Sequence, residues 1–212
     1  MSDKPQTLGS AITETILSEP VDSLVSEYAE IGIDAILSEG ILKEIPFVHS
    51  LIAVTKIGIT ISDRLLINKL IKFLSAIQDV PSRERQEMVS RLELDPVFGR
   101  KVGEHILELL VRVEGKQKPK MLAQAFTAYA KNRIDVRALL RLNHAIEQLP
   151  NSELASVRPF YNRSPEEPFE FDTYTGQSLA TAGLAEINAG FGGISFMKTE
   201  LCRVFLELNL DV

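Results

Sequence analysis

Between Phe47 and Ile61 the chain carries a single charge, Lys56, and Pro46 stands immediately before that run. A proline is tolerated in the first turn of a helix and disrupts a helix interior, so a helix is expected over residues 47–61. A bilayer span needs about 20 apolar residues. This run is shorter and is interrupted by His49 and Lys56. A helix that is apolar on all sides belongs in a core. Residues 47–61 are therefore expected to form a central buried helix, with His49 a hydrogen-bonded core residue. The competing reading is a membrane-active effector that exposes residues 41–77, with Arg64, Lys69 and Lys72 as anion or membrane-surface contacts.

The rest of the chain is dominated by helical periodicity. After Pro20, the residues Val21, Leu24, Val25, Tyr28, Ile31, Ala35 and Ile36 recur at spacings of three and four, and Gly40 ends the pattern. Ser62-Asp63 predicts a cap for a helix whose wide face is Leu65, Leu66, Leu70, Ile71, Phe73, Leu74 and Ile77. Pro81 opens a mostly polar helix with Met88, Val89 and Leu92 as its seam. Asp95-Pro96 predicts the start of another, carrying Val97, Phe98, Val102, Ile106, Leu109, Leu110 and Val113 up to Gly115. Pro119 starts the next, with Met121, Leu122, Ala125, Phe126 and Tyr129. After a turn at Asn132-Arg133, Asp135 caps a helix with Val136, Leu139, Leu142 and Ile146, which Pro150 stops. Four prolines between 150 and 172 predict a linker or long loop. Beyond it come a short helix ending at Gly183, two short strands around the glycine-rich residues 188–193, and a last helix capped by Thr199.

Composition supports a globular chain: 45% of the 212 residues are hydrophobic and 25% charged, with a net charge of −6. The charge is uneven. Residues 1–44 sum to −7, residues 45–141 to +7 and residues 142–212 to −6. The simplest consequence is that the parts neutralise one another on folding; the alternative is an exposed basic face for phosphates or an anionic surface. The single cysteine, Cys202, excludes an intrachain disulfide and, with no secretory-type leader at Met1–Pro5, points to the cytoplasm.

Two stretches carry resemblances. Leu179-Ala-Thr-Ala-Gly-Leu-Ala-Glu-Ile187, Gly192-Gly-Ile-Ser-Phe196 and Thr199-Glu-Leu-Cys-Arg-Val-Phe205 together resemble the end of a winged-helix module. In such modules a Leu-x-x-x-Gly-Leu phrase closes a helix, a hairpin wing follows, and a Thr-Glu-Leu-Gly phrase opens the closing helix. Cys202 stands in place of that glycine. Leu42–Pro46, Thr60–Leu65, Lys101–Glu104 and Arg141–His144 look like a group of small uncharacterised bacterial proteins that pair a helical body with a wing-like tail. That likeness implies a mobile-element or phage-conflict setting and supplies no reaction.

Catalytic parts are few. His105 with Glu108, and His144 with Glu147, form two H-x-x-E pairs, each on one helix face. A metal site would need the two to converge with further carboxylates. Cys202 lies among apolar residues and reads as an inert thiol. Residues 190–193 lack the Lys-Ser/Thr of a phosphate loop. Trp is absent, and the hairpin has no Lys or Arg before Lys198, so nucleic acid is not the expected partner.

The expectation is a mainly α protein in three parts: a multi-helix bundle body over residues 1–149, a Pro-rich linker or loop over 150–172, and a small α+β winged-helix-like tail over 173–212. The expected function is a non-enzymatic interaction protein without cofactor or metal. It self-associates through the apolar faces of the body (residues 65–77, 97–113 and 121–129 among them) or through Leu201, Val204, Phe205 and Leu208 on the last helix, or binds another protein. The alternatives are the membrane-surface effector and a winged-helix DNA-binding regulator.

Overall fold

The structure is a computed structural model, and it describes residues 7–18, 45–54, 60–164, 172–190 and 193–211. Among these residues the chain forms ten α-helices, one 3-10 helix and one two-stranded antiparallel sheet. The mainly α class with a small C-terminal sheet is as expected. The helix expected after Pro20 lies outside the described residues, as do residues 55–59, 165–171 and 191–192.

α1 (Leu8–Leu17) is capped by the Thr7 hydroxyl, which accepts from Ser10 N. It lies against both α2 (Pro46–Val54) and α5 (Val102–Arg112). α2 is the described part of the apolar run, and Phe47, Val48 and Leu51 are buried. It is not buried all round, however: His49 and Ala53 are exposed. The expected core histidine therefore faces outward, while residues 47, 48, 50 and 51 form the buried side of the helix, which packs against α1.

α3 (Ile61–Ile77) begins one residue before the expected Ser62-Asp63 cap. Thr60 is the cap: its hydroxyl accepts from Asp63 N at 3.2 Å, and the Asp63 carboxylate accepts from Thr60 N at 2.8 Å. That register buries Ile67 and turns Leu65 outward, so the face differs from the expected one at its first turn. α4 (Ser82–Leu94) buries Met88, Val89 and Leu92, as its seam predicts.

The helix expected from Asp95-Pro96 starts later. The Asp95 carbonyl accepts from Phe98 N and Gly99 N, closing one turn, and Gly99 then takes a positive φ of 60°. α5 begins only at Val102. α6 (Lys118–Ala130) and α7 (Val136–Gln148) follow the expected boundaries, with Pro119 in the first turn of α6 and the Asp135 carboxylate accepting from Ala138 N. α3 lies on α6, with the rings of Phe73 and Phe126 edge to face at 5.8 Å. α7 also packs against α6.

Residues 150–164 are not a loop. A 3-10 helix (Asn151–Ser156) leads into α8 (Val157–Asn162), and Leu154, Val157 and Phe160 are buried. The two described prolines sit where they do not interrupt a ladder: Pro150 precedes the 3-10 helix and Pro159 falls in the opening turn of α8. The tail then runs α9 (Thr173–Thr181), β1 (Ala185–Gly190), β2 (Gly193–Lys198) and α10 (Glu200–Glu207). The strands pair Ala185 with Lys198, Ile187 with Phe196 and Ala189 with Ile194. Gly176 lets α9 lie directly on this hairpin; a Cβ there would stand 2.4 Å from the Phe196 ring.

Three helix ends share one closing geometry. At α9, Leu184 N donates to Leu179 O at 2.8 Å across Gly183, whose φ is 74°. At α6, Arg133 N reaches Ala128 O across Asn132, and at α10, Leu210 N reaches Phe205 O across Asn209. Each is a left-handed residue that lets the chain reverse while satisfying the last carbonyls. This is the physical content of the Leu-x-x-x-Gly-Leu phrase.

Candidate functional site

Body and tail meet along α7 and leave a cleft of about 500 Å³ between them. α7 supplies one wall: Leu140, Arg141 and His144. The tail supplies the other: Ala182 and Gly183 after α9, Glu186 on β1, and Thr199, Glu200 and Leu201 at the start of α10. This volume is within the usual range of small-molecule sites, about 300–1,000 Å³. The lining thus combines Arg141 and His144 with the carboxylates of Glu186 and Glu200 and the apolar Leu140, Ala182 and Leu201. The only hydroxyl of the lining is committed: Thr199 Oγ1 donates to Gly183 O at 2.9 Å and accepts from Cys202 N at 3.2 Å. Arg203 holds the Glu200 carboxylate and lowers its pKa. The lining offers charge and shape for binding, with no activated nucleophile.

His105 and His144 do not share a site. His144 faces this cleft, whereas His105 is buried under α7 between Phe98, whose ring is 5.1 Å away, and Phe126. Burial, joined by the neighbouring Arg100 guanidinium, pushes its pKa down to about 4. His105 is therefore neutral at neutral pH. Asn143 Nδ2 lies 3.2 Å from Nε2, and Arg100 lies 3.4 Å from Nδ1. A neutral ring accepts at one nitrogen only. Turning the Asn143 amide end for end lets its otherwise unpartnered Oδ1 accept from Nε2–H while Nδ1 accepts from Arg100. Glu108, the other half of the first H-x-x-E pair, accepts from Arg100 at 3.0 Å. Glu147 reaches toward Arg112 at 3.8 Å. The two glutamates are thus drawn into ion pairs with Arg100 and Arg112, and among the described residues no three His, Cys, Asp or Glu side chains gather in a way that could hold a metal ion.

Of the expected interaction residues, Phe205 is fully buried and Leu208 nearly so, both inside the chain's own core. Leu201 and Val204 are partly buried against that core, and Leu201 lines the cleft. The last helix thus caps its own bundle. Cys202 is buried beside Phe205, and burial drives its thiol up to about 12. Of the expected anion contacts, Lys69 faces Glu114, Lys72 faces Lys116 and Lys120, and Arg64 is exposed on the first turns of α3 beside exposed Ile61 and Leu65. No helix among the described residues is long and apolar enough to cross a membrane.

The surface that sequence reasoning missed is the outer half of the hairpin. Ala185 and Phe196 lie buried at its base. On the same face Ile187, directly across from Phe196, is 57% exposed, and in the next pair outward on that face, Ala189 with Ile194, Ile194 is 61% exposed. The alternation was visible in the strands, but which end of the face the body covers was not. Lys198, the cation at the hairpin base, is exposed but tethered to α8: its Nζ donates to Tyr161 O at 2.9 Å and sits 4.8 Å from the centre of the Tyr161 ring.

Comparison with protein-family models, with curated protein sequences and with solved structures finds no match to this chain.

Proposed function

We propose that the chain is a non-enzymatic interaction protein that pairs with a second copy of itself through the outer half of its hairpin. The observation that carries this reading is the exposed Ile187 and Ile194 on one hairpin face, continuous with the buried Phe196. Exposed branched apolar side chains on a projecting element favour contact with protein. The outer part of that face, Ile187, Ala189 and Ile194, bears no charge, so it is complementary to itself, as a two-fold interface requires. The α9–hairpin–α10 unit is read as a winged-helix-like tail used for protein contact. The occupied Lys198 ammonium and the net −6 of residues 142–212 favour protein over DNA as its partner.

Light scattering over a dilution series tests the reading. A mass above the monomer's 23.6 kDa is expected. The double variant Ile187→Asp, Ile194→Asp is expected to return it to a folded monomer whose melting temperature no longer depends on protein concentration. A monomer at every concentration, or an oligomer indifferent to the double variant, overturns it.

A further inference from the structure

The cleft between α7 and the tail has charges that the fold itself does not use. Arg141 and His144 stand three residues apart on α7, so their side chains leave one face of that helix as neighbours. From the tail come Glu186 on β1 and Glu200 at the start of α10. The two carboxylates differ. Glu200 is held by Arg203, whose Nε donates to its two oxygens at 3.1 and 3.0 Å. Glu186 makes no hydrogen bond or ion pair with any described residue, and the same holds for Arg141 and His144. Arg141 and Glu186 thus line one cleft with opposite charges and do not neutralise each other.

The rest of the lining is apolar and fixed. Leu140 and Leu201 are half-buried against the core. The start of α10 is tied to the end of α9 twice: Thr199 N donates to Leu184 O at 3.2 Å, and Thr199 Oγ1 to Gly183 O at 2.9 Å. Both α9 and α10 pack on α7. The cleft is therefore part of the packed fold, and its volume of about 500 Å³ suits a small organic molecule.

Charge decides the class of molecule. A ligand bearing only an anion would satisfy Arg141 and bring a like charge beside Glu186, and a ligand bearing only a cation would do the reverse. An uncharged apolar ligand would strip water from both groups without replacing it. A zwitterion with an apolar body meets all three demands.

We propose that this cleft binds a small zwitterion with an apolar side chain, a free amino acid or a short peptide. Arg141 takes the carboxylate, whose geometry the guanidinium fork matches, with His144 beside it as a second polar contact. Glu186 takes the ammonium, and Leu140, Ala182 and Leu201 cover the apolar side chain. The site is separate from the self-association surface, because successive residues of a strand point to opposite faces and Glu186 leaves β1 on the face opposite Ile187.

Leucylleucine with free termini is the probe, titrated into the full chain by calorimetry. Saturable binding is expected. Two blocked peptides remove one charge each: N-acetyl-leucylleucine lacks the ammonium, and leucylleucine amide lacks the carboxylate. Each is expected to bind about tenfold more weakly or worse, the range for losing a charge-assisted hydrogen bond. Two variants locate the contacts. In Arg141→Gln, amidation is expected to cost nothing further while acetylation still costs about tenfold; in Glu186→Gln the reverse is expected. Each variant keeps the discrimination that the other loses, which separates a lost contact from a lost fold. Leucine bound as tightly as leucylleucine assigns the free amino acid; tighter binding of leucylleucine assigns the peptide. The proposal is overturned if neither binds, or if blocking either end costs the variants what it costs the parent.

Discussion

Gly103 lies so close to Gly9 that a Cβ on Gly103 would stand 1.9 Å from the Gly9 carbonyl oxygen. The approach is reciprocal, since a Cβ on Gly9 would meet Glu104 Cγ at 2.5 Å. Thr13, one turn along α1, accepts from Gly103 N at 3.1 Å. The two helices therefore meet backbone to backbone, and the obstacle to a larger residue is a carbonyl that cannot swing aside. Gly103→Ala is expected to separate α1 from α5 and cost about 2–3 kcal/mol. Chemical denaturation measures this, and a change below about 0.5 kcal/mol, the range of an ordinary surface substitution, would show that the helices do not meet this way.

A second expectation concerns acid. The His105 pKa in the fold is about 4, below its ordinary value of 6.5. Between those values the unfolded chain binds the proton and the fold does not. Stability from this group is complete above about pH 6.5 and is lost as pH falls toward 4, by about 3 kcal/mol in all. Unfolding curves taken across that window should show the slope, and His105→Phe, which keeps the aromatic contacts with Phe98 and Phe126, should flatten it. An equal slope in the variant would assign the acid sensitivity to other groups.

The Cys202 thiol, buried and raised to about 12, is expected to resist thiol reagents in the native protein at pH 8 and to react at once in denaturant. Titration with a chromogenic disulfide reads this directly. Rapid native labelling would mean that α10 leaves the body readily.

Gly176 seats α9 on the Phe196 ring. Here the obstacle is the far part of a side chain, 2.4–2.6 Å from where a Cβ would lie, so the ring can shift. Gly176→Ala is expected to cost less than Gly103→Ala, about 1–2 kcal/mol, and to loosen the hairpin. Amide exchange in β1 and β2 should quicken while exchange in α5 and α6 stays unchanged. Unaltered hairpin protection would contradict the packing.

Much of this architecture is legible in the sequence because its signals are local. The Asp135 and Thr199 caps, the left-handed turns at Asn132 and Gly183, and the seam of Met88, Val89 and Leu92 each act within a few residues. The candidate site was legible only in part. His144 stood out, but Glu186 and Glu200, which line the same cleft, lie on the separate β1 and α10, and no spacing announces them.

What the sequence by itself determined is the helical class, the order of the helices between Ile61 and Gln148 and the helix–hairpin–helix order near the C-terminus, because periodicity and capping are properties of neighbours along the chain. The start of α5 belongs to the tertiary structure. Asp95-Pro96 has the local chemistry of a helix start, yet the helix begins at Val102. There Glu93 from α4 accepts from Val102 N at 3.3 Å and holds Lys101 at 2.7 Å, while Thr13 from α1 accepts from Gly103 N. These caps come from other helices and exist only once α1, α4 and α5 are together. The same holds for exposure: periodicity distinguishes an apolar face from a polar one, and only packing decides that Phe205 is covered while Ile187 and Ile194 are left to solvent.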